Sequence, residues 1–120
     1  MLNEEKTVNR ENCILEIVKR VKKIKPVKII LFGSYAWGIV HKDSDIDLII
    51  ILNKNGIPKD FREKMDSYLS VKRLLRDMNR EIPMDIIVYT KEQWEKFLLL
   101  DSYFSRKVVK EGKILYERNI

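Results

Sequence analysis

Asp45-Ile46-Asp47 sets two carboxylates one residue apart where a polar loop gives way to the apolar run "DIDLIIIL" (45–52). Side chains alternate across a strand, so both aspartates share one face while Ile46 turns toward the core. A carboxylate withdrawn from water is costly unless something positive meets it. Oxygen ligands at this spacing suit a hard divalent cation such as Mg²⁺, which takes one or two carboxylates and completes its shell with waters and substrate phosphates. Asp85 in "PMDIIV" repeats the pattern, a carboxylate near the start of an otherwise apolar strand. If that strand neighbours the one carrying Asp47, three carboxylates gather, and two metal ions bridging a phosphate would balance them.

Gly33-Ser34 supplies the complementary half. A glycine directly after a strand lets the backbone turn sharply and approach a ligand closely. A serine opening a helical turn adds amide N–H groups and a hydroxyl, a ready phosphate site. Each feature alone is common: Asp-x-Asp is usually a turn or cap, Gly-Ser a plain turn, and Asp85 reads equally as an edge-strand residue facing water. Gly33 and Gly38 have the separation of a P-loop, but Ile39-Val40 stand where Lys-Ser/Thr is required. No Gly-x-Gly-x-x-Gly occurs, which removes the dinucleotide-binding fingerprint.

The elements that must position these residues follow from periodicity and punctuation. Residues 11–24 read as an amphipathic helix with Cys13, Ile14, Ile17, Val18, Val21 and Ile24 on one face, stopped before Pro26. "VKIILF" (27–32) is a strand, 33–44 a loop with one turn of helix near Ser34–Trp37, and 45–52 a second strand apolar enough for burial on both faces. Asp60 with Glu63 forms a capping-box pattern that opens a long helix to about Asn79, with Phe61, Met65, Tyr68, Leu69, Leu75 and Met78 as its apolar stripe. "IPMDIIVY" (82–89) is a third strand. Thr90 and Gln93 cap a helix carrying Trp94, Phe97 and Leu98, Asp101 caps another to about Glu111, and "KILYE" (113–117) is a last strand. The order α-β-β-α-β-α-α-β predicts an α/β (α+β) domain, a mixed sheet flanked by helices, spanning residues 1–120.

A chain of 120 residues suits one modest core, and 45% hydrophobic with 35% charged residues fits a soluble globular class. No apolar run reaches the length of a membrane span, and "MLNEEKTVNR" lacks the layout of a signal peptide, so the expected location is the cytoplasm with no membrane partner. Cys13 is the only cysteine, which excludes an internal disulfide and a cysteine-based zinc site and favours core packing. Lysine and arginine exceed the acids 24 to 18, for a net charge of +6. Nucleic acid, nucleotides or an acidic protein are compatible with that balance, but the lysines are spread along helices as on ordinary solvated faces.

The combination is more specific than its parts. Gly33-Ser34, ten intervening residues, Asp45-x-Asp47 and Asp85 on a later strand resemble the signature of the DNA polymerase β-like nucleotidyltransferases. "GSYAWG" followed by "SDIDL" resembles, more narrowly, the minimal nucleotidyltransferases, and the likeness extends over nearly the whole chain. Gly33, Ser34, Gly38, Ser44, Asp45, Asp47 and Asp85 all match that pattern. The resemblance implies a nucleotidyltransferase fold and a triphosphate, ATP or another NTP, bound by Gly33, Ser34 and Ser44. It implies two Mg²⁺ ions held by Asp45, Asp47 and Asp85, with Asp85 also helping to deprotonate the attacking hydroxyl. It further implies an antitoxin that transfers AMP to a tyrosine of a HEPN-domain toxin partner. Two other readings stay open: a non-catalytic antitoxin acting by contact, and a transferase for a small molecule or RNA end. The last would need an acceptor pocket made by a homo-oligomer, for which the many apolar residues of "WEKFLLLDSYF" (94–104) offer an interface. Trp37, His41 and Lys42, in the loop between the half-sites, fit nucleotide contact and ordinary packing or solvation alike.

Overall fold

The computed structural model describes residues 2–38 and 44–118, with side chains from residue 11 onward. Helix α1 (Leu2–Val21) ends in a 3₁₀ turn (Lys22–Ile24) and leads to β1 (Lys28–Phe32), the single turn α2 (Ser34–Trp37) and β2 (Ile46–Ile51). Helix α3 (Phe61–Glu81), β3 (Met84–Tyr89), α4 (Lys91–Leu99), α5 (Tyr103–Glu111) and β4 (Lys113–Glu117) complete the described elements. The strands lie in the order β3-β2-β1-β4. β1 pairs antiparallel with both β2 and β4, whereas β2 and β3 run parallel. A parallel pair needs a long crossover, and α3 provides it. This is the mixed sheet with flanking helices that the order of elements predicts.

β2 is central and buried on both faces, which accounts for its unbroken apolar run. Ile46, Leu48 and Ile50 turn toward one face, where they join Ile17 and Val21 of α1 and Val71 and Leu75 of α3. Ile49 and Ile51 turn to the other, with Ile30 and Phe32 of β1, Phe97 of α4 and Val108 of α5. Phe104 bridges Phe32 and Phe97 edge-on, with centroids 5.5 and 5.6 Å away. Cys13 lies in the first cluster, and burial pushes its thiol pKa up, as expected of a structural cysteine.

Several boundaries differ from those expected, each for a local reason. α1 begins at Leu2 rather than near residue 11. The early segment has no apolar stripe to announce a helix, but it has no breaker either, and each added residue gains a hydrogen bond once a nucleus exists. Phe61 is not part of the buried stripe of α3: as the first helical residue it is 75% exposed, while Ser67, Val71 and Leu75 form the buried line. The cap of α5 is Ser102, not Asp101. Ser102 Oγ accepts from Ser105 N at 3.0 Å, and Asp101 occupies the left-handed region (φ 46°) in the turn before it. Of the residues 94–104, Phe97 closes the core, whereas Leu99, Leu100 and Tyr103 remain exposed.

Thr90 joins the far end of the sheet to its helix layer. Its side chain accepts from Gln93 N at 3.2 Å, the Gln93 side chain accepts from Thr90 N at 2.9 Å, and Thr90 Oγ1 donates to Gly56 O at 2.7 Å. Thr90→Ala removes the cap and orphans the Gly56 carbonyl, so urea unfolding should show a loss of about 1–2 kcal/mol. Thr90→Ser should retain most of that stability.

Candidate functional site

Phe32 ends β1, and Gly33 turns the chain with φ +71°, a region that side chains disfavour. Space as well as conformation requires glycine here. A Cβ at Gly33 would overlap Asp47 Oδ2 and lie 2.9 Å from Asp47 Cγ. The Gly33 carbonyl then accepts from Ala36 N and Trp37 N at 3.0 and 2.9 Å, closing α2, and Gly38 (φ +82°) stops the turn. The glycine half of the motif is thus packed directly on its carboxylate half.

Strand register assembles that carboxylate half. Asp47 pairs with Phe32 on β1 and with Asp85 on β3, and the parallel pairing puts the Asp47 and Asp85 side chains on one face as direct neighbours. Asp45 immediately precedes β2, and Ile46 between the aspartates is fully buried in the opposite direction. The condition attached to Asp85 in the sequence, that its strand lie beside β2, is met. Asp45 and Asp85 are exposed and Asp47 is half-buried.

The electrostatics are those of a site short of positive charge. Burial first, then the negative charges of Asp85 and Asp45, push the Asp47 carboxyl up to about 6. Among the described residues none of the three aspartates forms an ion pair. Nor does any group of three or more His, Cys, Asp or Glu side chains among them form a closed ligand set for a metal ion. The carboxylates interact through their charge without converging on one point. The donor set nevertheless fits a hard divalent cation: oxygen ligands only, two in strand register, with excess negative charge.

Ser34 opens α2 and is half-buried; Ser44 is buried just before Asp45. Trp37 packs against both core clusters, and Lys107 Nζ lies 4.1 Å from its ring centroid. That lysine has no signal in the sequence, because its neighbour is far away along the chain. His41 and Lys42 lie outside the described residues.

The raised Asp47 carboxyl has a direct check by NMR titration of the metal-free protein. Removing a neighbouring negative charge favours the ionised form, so Asp85→Asn should move the Asp47 titration from about 6 toward ordinary carboxylate values. Linkage has the matching sign. A folded carboxyl that holds its proton more tightly than the unfolded one makes ionised Asp47 a cost that grows as pH rises from about 4 to 7. Asp85→Asn should therefore gain stability over wild type across that window.

Comparison with known proteins places this arrangement in a family. Residues 12–120 match the family described as Polymerase beta, Nucleotidyltransferase. A relative from Methanocaldococcus jannaschii, named "Putative protein adenylyltransferase", is 36% identical over 114 residues, 91% of this chain and 100% of the relative. A crystal structure of a "putative nucleotidyltransferase" from Sulfolobus solfataricus superposes with a TM-score of 0.55 at 19% identity, over 88% of this chain and 78% of the other. A crystal structure described as "the toxin-antitoxin with AMP-PNP" gives a TM-score of 0.51 at 22% identity, over 88% and 74%. At those identities the two structures establish likeness of fold. A family match over nearly the whole chain and a relative aligned along its entire length establish more: the chain belongs to the polymerase β-type nucleotidyltransferase family and is a nucleotidyltransferase.

Proposed function

We propose that this nucleotidyltransferase transfers AMP from ATP to a tyrosine hydroxyl of a HEPN-domain toxin, acting as the antitoxin of the pair. The observation that carries the chemistry is the register of Asp47 with Asp85 while Gly33 lies against the Asp47 carboxylate. One side of that contact suits a cation and the other suits phosphate. The name of the Methanocaldococcus relative supports adenylyl transfer to protein, and the fold likeness to a toxin–antitoxin structure supports the partner class. In this reading residues 1–120 are one minimal catalytic domain in the cytoplasm, and another chain delivers the acceptor.

The residues take the following roles. Gly33, Ser34 and Ser44 hold the triphosphate. Asp45, Asp47 and Asp85 would hold two Mg²⁺ ions, whose chemistry when bound is to neutralise charge on the attacking and leaving oxygens. The acceptor oxygen attacks the α-phosphorus in line, a new P–O bond forms, and the bond to the β-phosphate bridging oxygen breaks to release pyrophosphate. Asp85, the exposed carboxylate on β3, takes the proton from the acceptor hydroxyl. Most of the acceleration comes from positioning and charge stabilisation.

The test is incubation with Mg²⁺ and ATP labelled at the α-phosphate, alone and with host lysate, following label into protein. Label should enter a macromolecule from α-labelled but not γ-labelled ATP. Asp45→Asn and Asp85→Asn should each lower the rate by roughly 10²–10⁴-fold. Gly33→Ala should also lower it, because the added methyl displaces the Asp47 carboxylate. Transfer from the γ-position, or transfer indifferent to these aspartates, would contradict the assignment. Mg²⁺-dependent ATP binding with no transfer to any protein would favour the contact-only antitoxin.

A further inference from the structure

We propose that Lys107 of α5 binds the β- and γ-phosphates of the nucleotide, and therefore the pyrophosphate that leaves; this rests on the transfer reading above. The position of the lysine is the first ground. Its ammonium lies 4.1 Å from the ring centroid of Trp37 and 5.9 Å from that of Tyr103, a cation held over one aromatic face and beside another. Ser34 and Trp37 are the first and last residues of the single turn α2, three apart. Residues at that spacing share a helical face, with Cβ atoms about 5–6 Å apart. A cation over Trp37 is therefore held against the same single turn that Ser34 opens.

Topology supplies the second ground. β4 begins at Lys113, opposite Leu31, so α5 delivers the chain to the end of the sheet where β1 gives way to Gly33. The Gly112 Cα packs there closely enough that a Cβ would lie 3.1 Å from Ile30 Cγ2. α5 also covers the face of the sheet that Asp47 shares with Phe32 and Ile49, so Lys107 approaches the Gly33 turn from the side to which that carboxylate points.

Charge balance is the third. A triphosphate brings further negative charge to three aspartates that have no cationic partner among the described residues, and a pocket that gathers such charge needs cations beyond the metal ions. Lys107 is free to supply one. Its ion pair is with Glu111 at 3.9 Å, the outer limit of such contact, and both side chains are partly exposed, so little opposes redirection of the ammonium to phosphate.

Calorimetric titration of the full chain in Mg²⁺ with three probes separates this role from simple support of Trp37. The probes are a non-hydrolysable ATP analogue, pyrophosphate and AMP, which lacks the β- and γ-phosphates. Lys107→Met should weaken the ATP analogue and pyrophosphate by roughly ten- to a hundredfold, the scale of a charge-assisted contact, and leave AMP within about twofold. Lys107→Arg should keep most of the affinity, and Lys107→Gln, which retains a polar stem, should behave as Lys107→Met. Unchanged affinity for all three probes in the Met and Gln variants would overturn the proposal, as would an equal loss for AMP. Wild-type protein that binds no ATP analogue in Mg²⁺ would overturn the transfer reading itself, a result distinct from a silent Lys107.

Discussion

Two aspartates held in register on adjacent parallel strands, with a third two residues before Asp47, form the constraint on which the rest of this molecule depends. Asp47 sits between Phe32 and Asp85, and burial together with two like charges pushes its carboxyl up to about 6. No side chain among the described residues neutralises the group by ion pairing. The fold keeps the arrangement because backbone pairing along β2 and β3 gives the two side chains no other place, and because Gly33 leaves room for the Asp47 carboxylate where any larger residue would collide with it. Negative charge left unbalanced by the protein is what a divalent cation can use, and the cation in turn can take a polyphosphate.

The cost of that concentration is met by the most buried strand. Ile46, Leu48, Ile49 and Ile50 are fully inaccessible to solvent, and they interdigitate with α1 and α3 on one face and α4 and α5 on the other. A burial of this kind contributes on the order of 1.5–3 kcal/mol per side chain. Four such residues directly behind the aspartates hold their backbone still, which matters because positioning is the larger part of what a phosphoryl-type transfer asks of a protein. Rigid backing and an open, charged mouth are two ends of the same strand.

Much of this was legible in the residues, and the parts that were not have a common cause. Gly33-Ser34 and Asp45-x-Asp47 are local patterns whose geometry follows from a strand, a turn and alternation; the structure puts Gly33-Ser34 at the turn into α2 and Asp47 in β2, with Asp45 just ahead of the strand. Asp85 was legible only conditionally, since no local feature says which strand β3 will join; the register with Asp47 resolves it. The start of α1 was hidden because a polar helix lacks a stripe, and the cap of α5 because Asp101 and Ser102 both have capping side chains and only the amide of Ser105 decides between them. The meeting of Lys107 with Trp37 had no signal at all. Contacts between residues distant in the chain are products of topology, and a single sequence does not display topology.

In the proposed function the aspartates at the mouth of β2 and β3 form a divalent-cation and triphosphate site with Gly33-Ser34. Crystals grown with Mn²⁺ and a non-hydrolysable ATP analogue test it most directly, by anomalous scattering at the manganese edge. Metal density ligated by Asp45, Asp47 and Asp85, with the triphosphate against the Gly33-Ser34 turn, is the expected result. A bound nucleotide elsewhere, or saturating Mn²⁺ with no density at these three carboxylates, would contradict it.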